Sequence, residues 1–274
     1  MRGQLGIRRI PRGGFGNRVM TYVSLRQIAL EIDAGYFSIN PADRNRISGI
    51  NKRWLLPLGL RKLREISKDE VLEPGFLESI GNDVRNGTTA LFKHPLLGEV
   101  LARNSFRDPR SFASHSMSIC RGHREQHAEG PWVALHLRGT DFASWNPDAI
   151  LGPAYYLDAL ERLSEESIDF NYRICTDDTS HPAWDALQSH LKSTSRLIES
   201  NSCESPFECD FAAMANSAFL IASPSTFAIT AGMLGHTSTI HSKSWVDNRQ
   251  ERGELFWNLI AENQFPFYSV AGIV

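Results

Sequence analysis

The sequence predicts an α/β protein with two domains, and two observations on its 274 residues support this class. In the second half, short apolar runs alternate with helical patterns, as in a parallel sheet with helices on its faces. The first half opens in the same way, with an apolar run, a glycine loop and a long helical pattern. Two such openings predict two facing Rossmann-like domains, residues 1–128 and 129–274, with a cleft between them.

The predicted elements of the second half follow one another without long interruptions. In chain order we expect a buried strand at Trp132 to Leu137, a helix opening at Pro153, an alternating strand at Phe170 to Ile174, a helix from Pro182, a short strand at Arg196 to Ile198, a helix at Phe207 to Met214, a strand at Ala218 to Ala222, a helix from Thr226 to Gly235 and a last strand near Thr239 to His241.

The first half is regular only at its start. A short apolar run at Leu5 to Ile10 predicts a strand, and apolar residues at helical spacing from Val19 to Ile32 predict a helix. The stretch from Asn40 to Gly130 is less regular. Its last part, Pro109 to Gly130, is rich in Ser, His and Arg and is the candidate linker.

The composition is that of an ordinary globular protein, with 42% hydrophobic residues and a formal net charge of −2. This balance offers no overall basic excess for wrapping nucleic acid, so no nucleic-acid partner is expected. The opening ten residues lack the apolar run of a signal peptide, and no apolar stretch reaches the ~20 residues that span a bilayer. We therefore expect a cytoplasmic location.

Four cysteines are present, Cys120, Cys175, Cys203 and Cys209, and none forms a C-x-x-C pair. In a reducing compartment they are expected to be thiols, with Cys175 in the core. A disulfide between Cys203 and Cys209 is the alternative.

A glycine-rich segment, Gly13-Gly14-Phe15-Gly16-Asn17-Arg18, follows the first predicted strand. Backbone N–H groups at a helix start can bind an anion, which makes Gly14, Phe15, Gly16 and Asn17 candidate ligand contacts. The segment is neither a G-x-G-x-x-G fingerprint nor a P-loop with its lysine. A tight turn, with Asn17 as helix cap, is the alternative interpretation.

The strongest candidate is His136-Leu137-Arg138-Gly139-Thr140-Asp141, at the end of a buried strand. Ligands of open α/β sheets bind at that end, and an arginine fork can hold diphosphate oxygens through charge-assisted hydrogen bonds. The alternative is an internal ion pair between Arg138 and Asp141, with His136 buried in the core.

Two further windows lie at the same predicted edge. Ser223-Pro224-Ser225-Thr226-Phe227 joins a strand to a helix, where its hydroxyls and N–H groups either face a ligand or cap the helix. Asp177 and Asp178 follow another strand, where a carboxylate could accept hydrogen bonds from the N1–H and exocyclic amine of guanine. A helix cap or a solvated turn is the alternative for the two aspartates.

Four windows taken in order resemble the fucosyltransferase superfamily: Gly14-Phe15-Gly16-Asn17, His136-Leu137-Arg138 with Asp141, Thr176-Asp177-Asp178, and Phe219 to Phe227. That superfamily comprises protein O-fucosyltransferases and the α-1,2 and α-1,6 enzymes. The resemblance implies a two-domain GT-B architecture, GDP-fucose as donor, inversion at the anomeric carbon, and independence from metal and cofactor.

The resemblance also implies roles for individual residues. Arg138 would bind the diphosphate, and Ser225, Thr226 and Phe227 would surround the β-phosphate. His136 and one of Asp177 or Asp178 would lie near the guanine or ribose. Asn17 would lie in the cleft near donor or acceptor. The α-1,2 and α-1,6 enzymes usually carry a second arginine at the position of Gly139. The glycine is closer to the protein O-fucosyltransferase pattern, so the linkage that the enzyme forms stays open. The lack of a secretory signal favours a bacterial-type enzyme acting on cytoplasmic or lipid-linked glycan precursors.

The expected reaction needs cations or a metal, because negative charge builds up on the departing diphosphate. The sequence contains no D-x-D metal motif, so Arg138 and the helix start at Ser225-Thr226 are the expected stabilising groups. Asp141 is the candidate base for the acceptor hydroxyl, although pairing with Arg138 would weaken it. The rival hypothesis is a non-catalytic nucleotide- or phosphosugar-binding module of the same fold.

Two other segments carry weaker hypotheses. His123-Arg124-Glu125-Gln126-His127 has histidines four apart, but its glutamate is not where H-E-x-x-H requires it, so no metal site is expected. Arg44 to Arg64 is rich in Lys and Arg and contains no acid. It could contact an anionic acceptor or the inner membrane surface, and a solvated basic face is the alternative.

Overall fold

The computed structural model describes residues 3–7, 14–38, 51–52, 62–67, 69–92, 130–140, 142–166, 168–194, 196–198, 206–235, 237–263 and 268–274. The chain divides into two compact units, Met1–Ser118 and Ile119–Val274. The predicted boundary between residues 128 and 129 lies outside the described residues and stays a prediction.

The described part of the first unit contains a sheet of five parallel strands. In chain order its elements are β1 (Gln4–Ile7), α1 (Phe15–Glu31), β2 (Gly35–Ser38), β3 (Asn51–Lys52), β4 (Lys62–Ile66), a 3-10 turn at Glu70–Leu72, α2 (Phe76–Arg85) and β5 (Thr88–Phe92). The strand order is β3-β2-β1-β5-β4. The carboxyl end of β1, which leads to α1, therefore lies where the strand order reverses.

The core of the first unit lies between these strands and both helices. Leu5 and Ile7 of β1 are fully buried, as is Phe37 of β2. The helix α1 packs against β1 and β2, and α2 packs against β5. Gly6 has no room for a side chain, because a Cβ there would come within 2.4 Å of the Phe37 ring. Burial on both faces explains why β1 is a continuous apolar run.

The second unit also contains five parallel strands among its described residues. Its elements are β6 (Trp132–Leu137), α3 (Phe142–Trp145), a 3-10 turn at Pro147–Ala149, α4 (Pro153–Ser164), β7 (Asn171–Thr176), α5 (Trp184–Ser193), α6 (Pro206–Ala215), β8 (Phe219–Ile221), α7 (Thr226–Gly235), β9 (Ser238–His241), α8 (Lys243–Glu251), α9 (Leu255–Ala261) and β10 (Ser269–Ile273). The strand order is β10-β9-β8-β6-β7. The chain moves from β6 to β7 on one side and later to β8 on the other, so the switch point lies between β6 and β8.

Helices cover both faces of this second sheet. On one face, Leu135 of β6 and Tyr172 of β7 belong to the same buried cluster as Tyr156 of α4. Arg173 alternates with Tyr172 along β7 and pairs with Asp210 of α6, so α6 lies on the opposite face. Burial of an apolar side chain such as Leu135 stabilises the fold by about 1.5–3 kcal/mol. Because β6 is buried on both faces, its sequence is an apolar run.

Most predicted elements of the second half are confirmed, and two predictions are wrong. The segment Arg196 to Ile198 is not a strand, since within it only Leu197 forms a bridge, to Tyr172. The sheet also does not end at Thr239 to His241, because α8, α9 and β10 follow. The strand β10 lies at the edge of the sheet and is only partly buried, although Val270 to Val274 is an apolar run that the sequence analysis missed.

The stretch from Asn40 to Gly130 is more regular than the sequence predicts. Its described residues include β4, α2 and β5. The strand β4 lies at the sheet edge and buries only Ile66, so its apolar signal is weak. The helix α2 buries Phe76, Ile80 and Val84 at helical spacing, which the sequence analysis missed. The candidate linker Pro109 to Gly130 lies outside the described residues apart from Gly130.

The cysteines differ from expectation at one position. Cys209 of α6 is disulfide-bonded, so the expected free thiol is wrong there; its partner lies outside the described residues. Cys175 is free and fully buried, as predicted. Every helix among the described residues is too short or too polar to cross a bilayer.

Candidate functional site

The candidate site lies at the carboxyl edge of the second sheet, at the switch point between β6 and β8. His136 Nδ1 and Ser223 Oγ lie 2.6 Å apart and join the end of β6 to the turn after β8. Both side chains are buried. Open α/β sheets bind ligands at such points. The structure therefore brings two of the sequence windows together, and it adds Ser223 as a contact that the sequence analysis did not single out.

Aromatic side chains surround His136. The Phe227 ring lies 5.6 Å from the imidazole, and the Tyr156 hydroxyl donates to the His136 carbonyl at 3.0 Å. Burial, with the Arg138 charge and His181 as smaller causes, lowers the pKa of His136 to about 3. The ring is therefore neutral at physiological pH, because desolvation disfavours its cationic form.

Arg138 is held by the loop that follows β7. Its Nη1 donates to Asp177 Oδ2 at 2.6 Å, and Thr140 Oγ1 donates to the same oxygen at 2.8 Å. The guanidinium carbon also lies 5.6 Å from the centroid of the Phe142 ring, within the range of a cation–π contact. The Arg138 side chain is 21% exposed, so an anion in solvent can compete for it.

Asp178 lies directly over Gly139. A Cβ at Gly139 would come within 2.3 Å of Asp178 Oδ2, so the loop requires glycine at this position. Asp178 Oδ1 accepts hydrogen bonds from the Ser180 N–H at 2.9 Å and from its hydroxyl at 2.6 Å. These bonds lower the pKa of Asp178 and keep it ionised. Asp177 is engaged by the charge of Arg138, whereas the two hydrogen bonds to Asp178 come from the uncharged Ser180.

His181 is a site residue that the sequence analysis missed. Its backbone N–H donates to the Asp178 carbonyl at 3.3 Å, and its ring lies 6.2 Å from that of Tyr156. The Ala183 N–H donates to His181 Nδ1 at 3.2 Å, whereas Nε2 is buried and has no hydrogen-bond partner among the described residues. Burial lowers the pKa of His181, opposed by the charges of Asp178 and Asp177. The sequence signal that could have identified His181 is its position three residues after Asp178, a carboxylate that follows the end of a strand.

The start of α7 reaches the same edge. Ser225 Oγ accepts the Phe227 N–H at 3.2 Å, which is the helix-capping role given above as the alternative. Thr226 is the first helical residue, and both Thr226 and Phe227 are partly exposed. The first N–H groups of a helix carry partial positive charge, so this end can face an anion. Phe227 contacts His136, so the structure brings this window to the candidate site.

The glycine-rich window begins α1 in the first unit. Gly14 is the N-cap, Phe15 and Gly16 are buried in the first turn, and Asn17 is the third helical residue. The alternative that Asn17 caps this helix is therefore wrong. Asn17 Oδ1 is shielded from solvent and has no hydrogen-bond partner among the described residues. Contact between these four residues and the site of the second unit stays a prediction.

Several other sequence candidates lie outside the described residues. They are Asp141, the segment His123 to His127 and most of Arg44 to Arg64. Arg64 itself is described and forms ion pairs with Glu70 and Asp83, two acids outside the basic stretch. In the described part of the chain, no group of three or more His, Cys, Asp or Glu is placed to hold a metal ion.

A buried ion pair lies between β7 and α6, beneath this edge. Arg173 Nη2 and Asp210 Oδ1 are 3.3 Å apart, with side chains 8% and 18% exposed. Burial raises the pKa of Asp210 to about 6, although Arg173 and the Cys175 thiol act in the opposite direction. Burial also raises the pKa of Cys175, so its thiol is unreactive.

Solved structures resemble this chain, although no protein-family model and no curated protein sequence matches it. POFUT1 in complex with GDP-fucose matches with a TM-score of 0.55 and 12% identity, over 84% of this chain and 93% of that chain. POFUT1 in complex with GDP matches with a TM-score of 0.54 and 13% identity, over 87% of this chain and 98% of that chain. A mutant of Arabidopsis thaliana FUT1 in complex with GDP matches with a TM-score of 0.52 and 11% identity, over 86% of this chain and 69% of that chain.

These similarities concern the fold. The chain has an α/β fold with two parallel sheets, and this fold is similar to those of POFUT1 and Arabidopsis thaliana FUT1, in agreement with the predicted α/β class. Identities of this size do not carry an activity from one protein to another, and one fold can host several functions. The activity must therefore be argued from the side chains at the sheet edge.

Proposed function

We propose that this chain is a glycosyltransferase that moves fucose from GDP-fucose to a hydroxyl of a glycan or glycoconjugate, with inversion and without a metal. The observation that carries the proposal is the edge at the switch point, where Arg138, two aspartates and the start of α7 converge. Support comes from the fold, which resembles that of POFUT1 bound to GDP-fucose.

The diphosphate of the donor would bind Arg138. A guanidinium fork binds phosphate oxygens through two parallel charge-assisted hydrogen bonds, which is stronger than its single contact with Asp177. The first N–H groups of α7, at Thr226, would complement the remaining charge. The sequence has no D-x-D motif, so these groups would replace a metal ion as the stabilising charge.

The guanine would contact Asp178. This carboxylate is ionised, because hydrogen bonds from Ser180 lower its pKa. An ionised carboxylate can accept from both the N1–H and the exocyclic amine of guanine, and adenine lacks that pair of donors. Selectivity for GDP over ADP follows from this pairing.

In the reaction, the bond between the fucose anomeric carbon and the β-phosphate oxygen breaks, and the acceptor oxygen bonds to that carbon. GDP leaves with the electron pair, and the acceptor proton passes to a base, for which Asp141 remains our candidate. Arg138 would stabilise the charge on GDP, and losing one such preorganised group typically costs on the order of 10²-fold in rate. We further propose a glycan or lipid-linked glycan as acceptor, with Arg44 to Arg64 in contact with the membrane surface.

Calorimetric titration tests donor binding. GDP, GDP-fucose, UDP and ADP are titrated in EDTA into the wild-type protein, Arg138→Ala and Arg162→Ala, the last being an exposed arginine of α4. We expect binding that is selective for guanine, survives EDTA, disappears in Arg138→Ala and persists in Arg162→Ala. Absence of nucleotide binding would reject the proposal. Binding without fucose transfer or donor hydrolysis across many acceptors would instead support the non-catalytic module.

A further inference from the structure

Two buried histidines lie near Arg138 at this edge, and their environments keep both neutral. His136 and His181 are each 3% exposed. Tyr156 lies between them: its hydroxyl donates to the His136 carbonyl and its ring contacts His181. Burial is the main cause that lowers the pKa of each ring. A neutral imidazole has one donor and one acceptor nitrogen, and its partners determine which is which.

Ser223 determines where His136 carries its hydrogen. The Ser223 hydroxyl is buried, and its one hydrogen-bond partner among the described residues is His136 Nδ1 at 2.6 Å. If Nδ1 carried the hydrogen, the hydroxyl hydrogen of Ser223 would be buried without an acceptor, which is unfavourable. The Ser223 hydroxyl therefore donates to Nδ1, and His136 carries its hydrogen on Nε2.

A backbone group determines which ring nitrogen of His181 carries the hydrogen. The Ala183 N–H donates to His181 Nδ1 at 3.2 Å, and a backbone N–H cannot exchange its role for that of an acceptor. The ring hydrogen of His181 is therefore on Nε2. This Nε2–H is buried and has no partner among the described residues. Native proteins rarely leave a buried donor unsatisfied, so the unmatched group indicates a ligand or water contact.

We propose that His136 and His181 are both held as Nε2–H tautomers, with Ser223 as the positioning residue for His136, and that His181 donates a hydrogen bond to an oxygen atom of the nucleotide. This inference rests on the proposed function. His181 shares a turn with Asp178, so the Nε2–H donor and the carboxylate belong to the same loop after β7. Guanine presents an oxygen acceptor next to N–H donors, whereas adenine has an amino group in place of that oxygen.

The same arrangement excludes both rings as the base of the reaction. Nδ1 is the acceptor nitrogen of each ring, and in each case it is already occupied, by Ser223 or by the Ala183 N–H. Neither histidine has a free lone pair for the proton of the acceptor hydroxyl. That proton passes to another group, for which Asp141 is our candidate.

Nitrogen NMR of ¹⁵N-labelled imidazoles tests the two tautomers without any ligand. In the wild-type protein we expect both rings to show a protonated Nε2 and a bare Nδ1 between roughly pH 7 and 8. Ser223→Ala should convert His136 to a mixture of tautomers and leave His181 unchanged. Ser223→Thr should restore the single tautomer, because it keeps the hydroxyl. Hydrogen on Nδ1 of either ring in the wild-type protein overturns the proposal.

Titration of GDP tests donation by His181. His181→Gln keeps an N–H group near the position of Nε2 and should keep GDP affinity within about threefold, whereas His181→Leu should lose about tenfold. His190→Leu, at an exposed histidine of α5, is the matched control and should bind as the wild type does. Equal affinity for wild type and His181→Leu overturns the proposal; if the Leu variant does not fold, a GDP-induced shift of the His181 Nε2–H signal decides the point.

Failure of the proposed function has a different signature. The wild-type protein would then bind no GDP although both rings carry hydrogen on Nε2. That result would support the two tautomers and the role of Ser223, and it would reject the nucleotide as the ligand.

Discussion

Arg138 and Asp177 form an ion pair between the loops that follow β6 and β7, with Nη1 and Oδ2 2.6 Å apart. The pair links the residue proposed for the diphosphate to one of the two carboxylates predicted to contact guanine. A diphosphate must compete with Asp177 for the guanidinium of Arg138. Asp178 is held instead by hydrogen bonds from Ser180. The two adjacent aspartates therefore differ in role: Asp177 is the counter-ion of Arg138, and Asp178 is the candidate for base recognition.

Asp177→Asn should strengthen the binding of GDP and of inorganic pyrophosphate. Partly exposed ion pairs are worth about 0.2–1 kcal/mol, so removing the competing charge should tighten binding by about 1.4- to fivefold. Asp178→Asn should weaken GDP binding and leave pyrophosphate binding unchanged, because it removes only the proposed contact to guanine. Calorimetry on both variants measures the difference, and weaker pyrophosphate binding by Asp177→Asn would contradict this assignment.

Gly139→Ala should disturb the site, because the new Cβ would lie 2.3 Å from Asp178 Oδ2. The Asp178 loop must move, and we expect GDP affinity to fall by about tenfold, as for loss of one hydrogen bond to a charged group. Gly152→Ala is the control, since no atom lies within 4 Å of its Cβ and its φ of −72° suits any residue. Thermal unfolding and GDP titration should separate the two variants, and the prediction fails if they behave alike.

Asp210→Asn should change the pH dependence of stability. Burial raises the pKa of Asp210 from 3.8 to about 6, so the folded protein binds a proton that the unfolded chain has released. The wild-type protein therefore loses stability as pH rises from about 4 to about 6, by about 3 kcal/mol for this group. The asparagine variant cannot ionise, so its free energy of unfolding should rise relative to wild type over that range.

Urea denaturation at a series of pH values measures this difference. Asp169→Asn, at an aspartate that is 82% exposed, is the control and should show no such rise. A difference between Asp210→Asn and wild type that stays constant from pH 4 to 7 would mean that Asp210 titrates normally.

Reduction should destabilise the protein through Cys209. Removal of a disulfide typically costs about 2–4 kcal/mol, so dithiothreitol should lower the unfolding temperature of the wild-type protein. The variant Cys209→Ala should unfold at the lower temperature with or without reductant. Peptide mapping after alkylation in denaturant without reductant should find Cys175 labelled and Cys209 unlabelled; labelling of both would show that the bond is absent.

Local sequence patterns predicted many of the elements that are buried along their length, although the buried strand β5 was missed. The apolar run Trp132 to Leu137 and the helical stripe from Val19 to Ile32 each carry their own periodicity, and both elements are confirmed. Where burial is thin, the pattern is weak. The edge strand β4 was therefore missed, because partly exposed strands need few apolar residues.

The sequence also determined which residue types stand at the strand ends, since the turns after buried strands can be read locally. Which of them meet was decided only by the tertiary structure. Arg138 pairs with Asp177, 39 positions away, because the parallel register places Leu137 beside Thr176. Ser223 reaches His136 across 87 positions because β8 lies next to β6. The order of strands in a sheet depends on long-range packing, and no local pattern carries it.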